Sequence, residues 1–83
     1  MKTTTSKKVV IYTTPTCGYC KMAKQFFRDH NVAFKEHDVF VEKDVREEMI
    51  SKSGQRGVPV ITIDDELVVG FNQHRLSELL GIN

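Results

Sequence analysis

The stretch Lys8-Val9-Val10-Ile11-Tyr12-Thr13-Thr14-Pro15-Thr16-Cys17-Gly18-Tyr19-Cys20 decides the fold. Lys8–Thr13 is a β-branched run closed by Pro15, and it predicts a buried strand. The next residues change period. Met22, Phe26 and His30 fall at i, i+4 and i+8, and Ala23 and Phe27 extend that face, so residues 18–30 predict an amphipathic helix. Asn31 is a suitable stop. Two cysteines, Cys17 and Cys20, therefore sit where a strand hands over to a helix.

Outward from that junction the elements alternate. Val32–Val39 predicts a second strand around Ala33-Phe34-Lys35-Glu36. Glu42–Ser53 predicts a second helix, with acids in its first turn and Val45, Met49 and Ile50 facing inward, ended by Gly54. Val60–Ile63 and Leu67–Val69 are two short strands around Asp64-Asp65-Glu66, spaced as a hairpin. Asn72 or Gln73 opens a last helix with Leu76, Leu79 and Leu80 on one face, and Gly81 ends it. The order β-α-β-α-β-β-α predicts an α/β fold. Its first βαβ unit is parallel and right-handed, and the hairpin completes a mixed four-stranded sheet flanked by three helices on both faces.

The chain has 83 residues, which fits a single domain over 1–83, with residues 1–7 expected as a loose polar tail. Lys+Arg 12 against Asp+Glu 11 gives a net charge of +1. That offers no field for nucleic acid or an anionic membrane. The apolar run behind the basic N-terminus is too short for a signal-peptide core, and no window approaches a membrane span. A cytoplasmic monomer is expected. In that compartment thiols are kept reduced, and a lone Cys-x-x-Cys pair is catalytic or metal-binding rather than structural. A structural zinc wants four ligands. Here one pair stands with His30, His37 and His74 scattered, so no metal site is expected.

A thiol at a helix N-terminus faces unpaired N–H groups and the positive end of the dipole, and both favour the thiolate, which is the nucleophile. Lys21 and Lys24 are candidates to add positive potential. Two intervening residues on a first helical turn let the second sulfur reach the first. Cys17 is expected to be the more exposed thiol and Cys20 the more buried one, able to attack a mixed disulfide formed at Cys17. Taken alone, Val58-Pro59 fits an ordinary trans proline at the start of an edge strand.

The segment Val10–Cys20 resembles the active-site segment of glutaredoxins. Gly57-Val58-Pro59-Val60 is similar to the loop that carries that family's cis-proline, and Gly70-Phe71-Asn72 to its glycine turn before the last helix. The resemblance runs in matching order from about Lys8 to Ile82. It implies a thioredoxin-like fold and a dithiol–disulfide oxidoreductase acting on protein disulfides or glutathione mixed disulfides. Cys17 would be the nucleophile and Cys20 the resolving thiol, with a reversible Cys17–Cys20 disulfide. It implies that Pro59 is cis against the thiol pair, with the Val58 backbone free to pair with an extended substrate. It gives Thr14, Gly18, Tyr19, Arg56, Val58, Pro59, Gly70, Phe71 and Asn72 as the substrate- or glutathione-facing positions. No bound cofactor is expected, and glutathione enters as reductant or co-substrate.

The departures bear on the reductant. Gly18 stands where many glutaredoxins carry Pro, and Thr14 where many carry a glutathione-holding Lys. Val58 replaces the Thr before the cis-proline, and Phe71 the second Gly of the later turn, followed by Asn72-Gln73 where an Asp pair is usual. Arg56 is a candidate to pair a glutathione carboxylate. These changes keep the dithiol and weaken the glutathione site. They leave open a redoxin of the NrdH type, reduced by thioredoxin reductase, and a glutathione-dependent [2Fe–2S] carrier bridging two subunits. A further alternative is a non-catalytic module docking through Phe71–Gln73, against which stands a core role for Phe71.

Overall fold

The structure is a computed structural model that describes residues 7–82. The elements follow the order β1 (Val9–Thr13), α1 (Gly18–Asp29), β2 (Lys35–Asp38), α2 (Lys43–Ser53), β3 (Val60–Ile63), β4 (Glu66–Val69) and α3 (Gln73–Leu80). The sheet order is β2-β1-β3-β4. β1 runs parallel to β2 and antiparallel to β3, and β3 and β4 form an antiparallel hairpin. The expected α/β architecture is therefore present.

The central place of β1 explains its unbroken apolar run. Val9 and Ile11 point into one core with Ala23, Phe26 and Phe27 of α1, Ile61 and Ile63 of β3, and Leu76 and Leu80 of α3. Tyr12 points the opposite way, into a second cluster with Val39, Val60 and Met49 of α2, against which Val10, Val45, Ile50 and Val58 pack. A strand covered on both faces has no polar side to show. Gly54 ends α2 in the left-handed conformation at φ +72°, and its N–H returns to the Ile50 carbonyl.

Three expectations are corrected. The second strand is Lys35–Asp38, not Val32–Val39. The Val32 N–H is committed to the Phe27 carbonyl at 2.8 Å, closing α1 after Asn31 at φ +58°, and Phe34 packs against the main core. The apolar residues thus flank a polar edge strand rather than build it. The hairpin turn is Asp64-Asp65, because Glu66 already pairs with Ile63. Met22 is 51 % exposed. It precedes Ala23, which marks the buried face, and one residue turns a helix by about 100°. Residues 1–6 of the expected tail lie outside the described residues. Lys7 is exposed and reaches Asp64 at 4.0 Å. No helix among the described residues is long and apolar enough to cross a membrane.

Candidate active site

After Thr13 the chain leaves the sheet through Thr14-Pro15-Thr16 and enters α1 at Cys17. The Cys17 N–H returns to the Thr14 carbonyl at 3.4 Å, fixing the turn. Cys17 itself is the N-cap, with extended backbone at φ −90° and ψ 111°. Its sulfur occupies the place of a capping oxygen and accepts the Cys20 N–H at 3.1 Å. This brings the two thiols of the motif together on one helical turn. Cys17 is partly exposed and Cys20 is buried, 1 % exposed.

The environments of the two sulfurs differ. Burial pushes the Cys20 thiol up to about 12, and its hydrogen bond to Cys17 adds to the rise; the Thr14 backbone and the Lys24 ammonium pull the other way. Cys20 therefore holds its proton at neutral pH. Its neighbour Cys17 sits at the helix mouth and is partly open to solvent.

The Val58–Pro59 peptide bond is cis. It lies against the thiol pair, with the Val58 carbonyl oxygen 3.8 Å from the Cys17 sulfur. Pro59 is buried, and its carbonyl accepts the Gly70 N–H at 2.7 Å. Gly70 adopts φ +85°, a conformation that favours glycine. The loop before Val58 is held by Gln55. Its side-chain oxygen accepts the Gly57 N–H at 2.6 Å and its amide donates to the Gly57 carbonyl at 3.0 Å. Gln55 was not among the expected site residues, since a glutamine in a short loop carries no sequence signal for such a brace.

The remaining expected positions divide. Thr14 is half-buried beside the motif. Gly18 and Tyr19 are exposed, Tyr19 at 65 %. Arg56 is exposed beside the Val58 loop and has no charge partner among the described residues. Phe71 is half-buried, packed against the main core and edge-on to Phe26 with ring centroids 5.9 Å apart, which is its core role. Asn72 is the N-cap of α3, and its side-chain oxygen accepts the Arg75 N–H at 3.1 Å. That oxygen serves the helix.

A network beneath the motif was also unforeseen. Lys24 pairs with Glu36 of β2 at 2.8 Å, and the buried Thr13 hydroxyl donates to the same carboxylate oxygen at 2.7 Å. The carboxyl of Glu36 is held below the usual carboxylate range, chiefly by the Lys24 hydrogen bond; desolvation opposes this, and the Thr13 hydroxyl adds a lesser lowering.

The glutaredoxin family model matches residues 9–68. A glutaredoxin-like 8.6 kDa protein of the rubredoxin operon of Clostridium pasteurianum is 43 % identical over 72 residues, 87 % of this chain and 96 % of that protein. The glutaredoxin-like protein NrdH of Lactococcus lactis subsp. cremoris is 35 % identical over 71 residues, 86 % of this chain and 97 % of its own length. The crystal structure of a glutaredoxin from Archaeoglobus fulgidus superposes with a TM-score of 0.80 at 31 % identity, covering 90 % of this chain and 87 % of that one. The fold is thioredoxin-like. With its paired thiols at a helix mouth beside a cis-proline, the chain belongs to the glutaredoxin family of thiol–disulfide oxidoreductases.

Proposed function

We propose that the protein is a dithiol electron carrier that reduces disulfides through Cys17-Gly18-Tyr19-Cys20. The observation that carries this is the asymmetry of the pair: a solvent-accessible Cys17 sulfur that caps α1, and a buried, protonated Cys20 one turn behind it. The Cys17 thiolate attacks one sulfur of a substrate disulfide. A Cys17–substrate mixed disulfide forms, and the other substrate sulfur leaves as a thiolate that takes a proton from water. Cys20 then loses its proton and attacks the Cys17 sulfur. The Cys17–Cys20 disulfide forms and the second substrate thiol is released. A two-electron donor restores the dithiol. The Val58 backbone, within 3.8 Å of the attacking sulfur, aligns an extended substrate segment, and Arg56 offers a guanidinium to a substrate carboxylate. Protein disulfides are the substrate class, and the reducing cytosol is the compartment in which such a carrier turns over.

The electron source we favour is thioredoxin reductase, as for a redoxin of the NrdH type. Thr14 stands in the place of the family's glutathione-holding lysine, and Asn72 uses its side-chain oxygen to cap α3. A coupled NADPH assay run twice tests both levels. One run supplies glutathione and glutathione reductase, the other thioredoxin reductase alone. Turnover is expected in both to depend on Cys17 and to be faster with thioredoxin reductase. Full activity of Cys17→Ser would overturn the carrier function, and faster turnover with glutathione would overturn the choice of donor.

A further inference from the structure

Lys24 looks in sequence like a solvated lysine at the start of a helix, yet its side chain is only 20 % exposed. It lies one turn behind Cys20, and residues four apart share a helix face, with Cβ atoms about 5–6 Å apart. Its ammonium is held there from outside the helix: Glu36 of β2 accepts from it at 2.8 Å, and the same oxygen is fixed by the Thr13 hydroxyl at 2.7 Å. Thr13 is the last residue of β1 and is itself buried, so the carboxylate is anchored to the end of the strand that delivers the thiol loop. Three elements, α1, β1 and β2, thus hold one cation in place. Lys21, next to Cys20 in the chain, is exposed.

Resting on the two-step exchange above, we propose that Lys24, clamped by Glu36 and Thr13, is a positioning residue of the resolving step, a fixed cation that stabilises the thiolate forming at Cys20. In that step Cys20 gives its proton to water, its sulfur bonds to the Cys17 sulfur, and the Cys17–substrate bond breaks with its electron pair leaving on the substrate sulfur. A buried thiol resists the first of these events, because the low-dielectric surroundings penalise the anion. Lys24 opposes that penalty: its charge favours the Cys20 anion, whereas Cys17 disfavours it. Glu36 sits behind the ammonium and also feels Arg28. Its carboxylate moderates the field and fixes where the cation stands. The cation stands one helical turn beyond the second thiol and two turns beyond the first.

Stopped-flow reaction with one equivalent of 5,5′-dithiobis(2-nitrobenzoate) separates the two steps. The first nitrothiolate is released by attack of Cys17 and the second by attack of Cys20. Lys24→Met is expected to slow the second release by about three- to tenfold and shift its pH profile to higher pH. The first release should stay within about twofold. Lys24→Arg should restore most of the loss. Lys24→Gln repeats the test should Lys24→Met fail to fold. A second release unchanged in Lys24→Met, or both releases slowed alike as for a loosened helix, would overturn the proposal. So would a Lys24→Arg as slow as Lys24→Met. The exchange on which it rests is tested by other variants in the same experiment: a first release surviving Cys17→Ser, or a fast second release surviving Cys20→Ser, removes the two-step scheme and Lys24's place in it.

Discussion

The backbone N–H of Cys20 points at the sulfur of Cys17 across 3.1 Å, so one thiol of the motif caps the helix that buries the other. Function and stability meet at this atom. A serine at 17 presents an oxygen in the same place, and serine is among the best N-cap residues. Reduced Cys17→Ser should abolish disulfide reduction yet keep wild-type stability. Cys17→Ala should lose about 1 kcal/mol as well as activity. Urea denaturation of the three reduced proteins, compared at unchanged slope, checks this. Equal stability of the serine and alanine variants would show that the sulfur does not act as a cap.

Cys20 links stability to alkaline pH. In the folded protein its thiol is pushed up to about 12, chiefly by burial, against 9.0 as the ordinary value. Between those values the folded state holds a proton that the unfolded state has lost, so stability falls as pH rises, by about 1.4 kcal/mol per pH unit. Below about pH 9 both states hold the proton and the thiol adds no slope. Other groups titrate in the same range, so the measurement is a difference. The stability of reduced wild type minus that of Cys20→Ala should be flat to about pH 9 and decline above it. A flat difference throughout would mean that Cys20 is as well solvated folded as unfolded.

Glu36 gives the opposite slope at the acid end. Its carboxyl is held low by Lys24 and then Thr13, so the unfolded state takes up a proton first as pH falls. The stabilisation is full above the unfolded value of 4.5 and is lost as pH drops through the lower folded value. Its side chain is 35 % exposed, so the effect is a modest one. Glu36→Gln keeps the shape and removes the titration. Its stability should fall less steeply than that of wild type between about pH 5 and pH 3, measured by thermal unfolding at matched ionic strength. Parallel curves would separate Glu36 from the acid response.

What could be read before the structure was whatever depends on neighbours in sequence. Val9–Thr13 shows itself by composition, the thiol pair by spacing, and the Gly54 and Gly81 stops by their need for a left-handed residue. What could not be read depends on register. Lys24 meets Glu36 only because β2 pairs with β1 so that Ile11 faces Glu36 and Thr13 faces Asp38. Nothing in the composition of Lys35-Glu36-His37-Asp38 announces a strand, because an edge strand of polar residues has no apolar alternation to display. The apolar residues Val32 and Val39 mark its ends instead: the first closes α1, and the second hydrogen-bonds to the Thr13 carbonyl at 2.9 Å. Asn72 was legible as an opener of the last helix, and its side-chain oxygen caps α3.

That capping role separates two accounts of Asn72. If its side-chain oxygen acts on the Arg75 N–H, as the 3.1 Å bond indicates, then any good cap residue replaces it. Helix α3 has only eight residues and carries Leu76 and Leu80 into the main core, so the cap at its start bears on the packing of both. Asn72→Ala should cost about 1 kcal/mol, and Asn72→Asp should recover it, helped by a negative charge at a helix N-terminus. Neither change should alter the first nitrothiolate release by more than about twofold, since the cap lies outside the thiol chemistry. Amide hydrogen exchange across α3, run beside the denaturation, locates the loss. A large fall in thiol reactivity with no change in exchange would instead return Asn72 to the substrate surface.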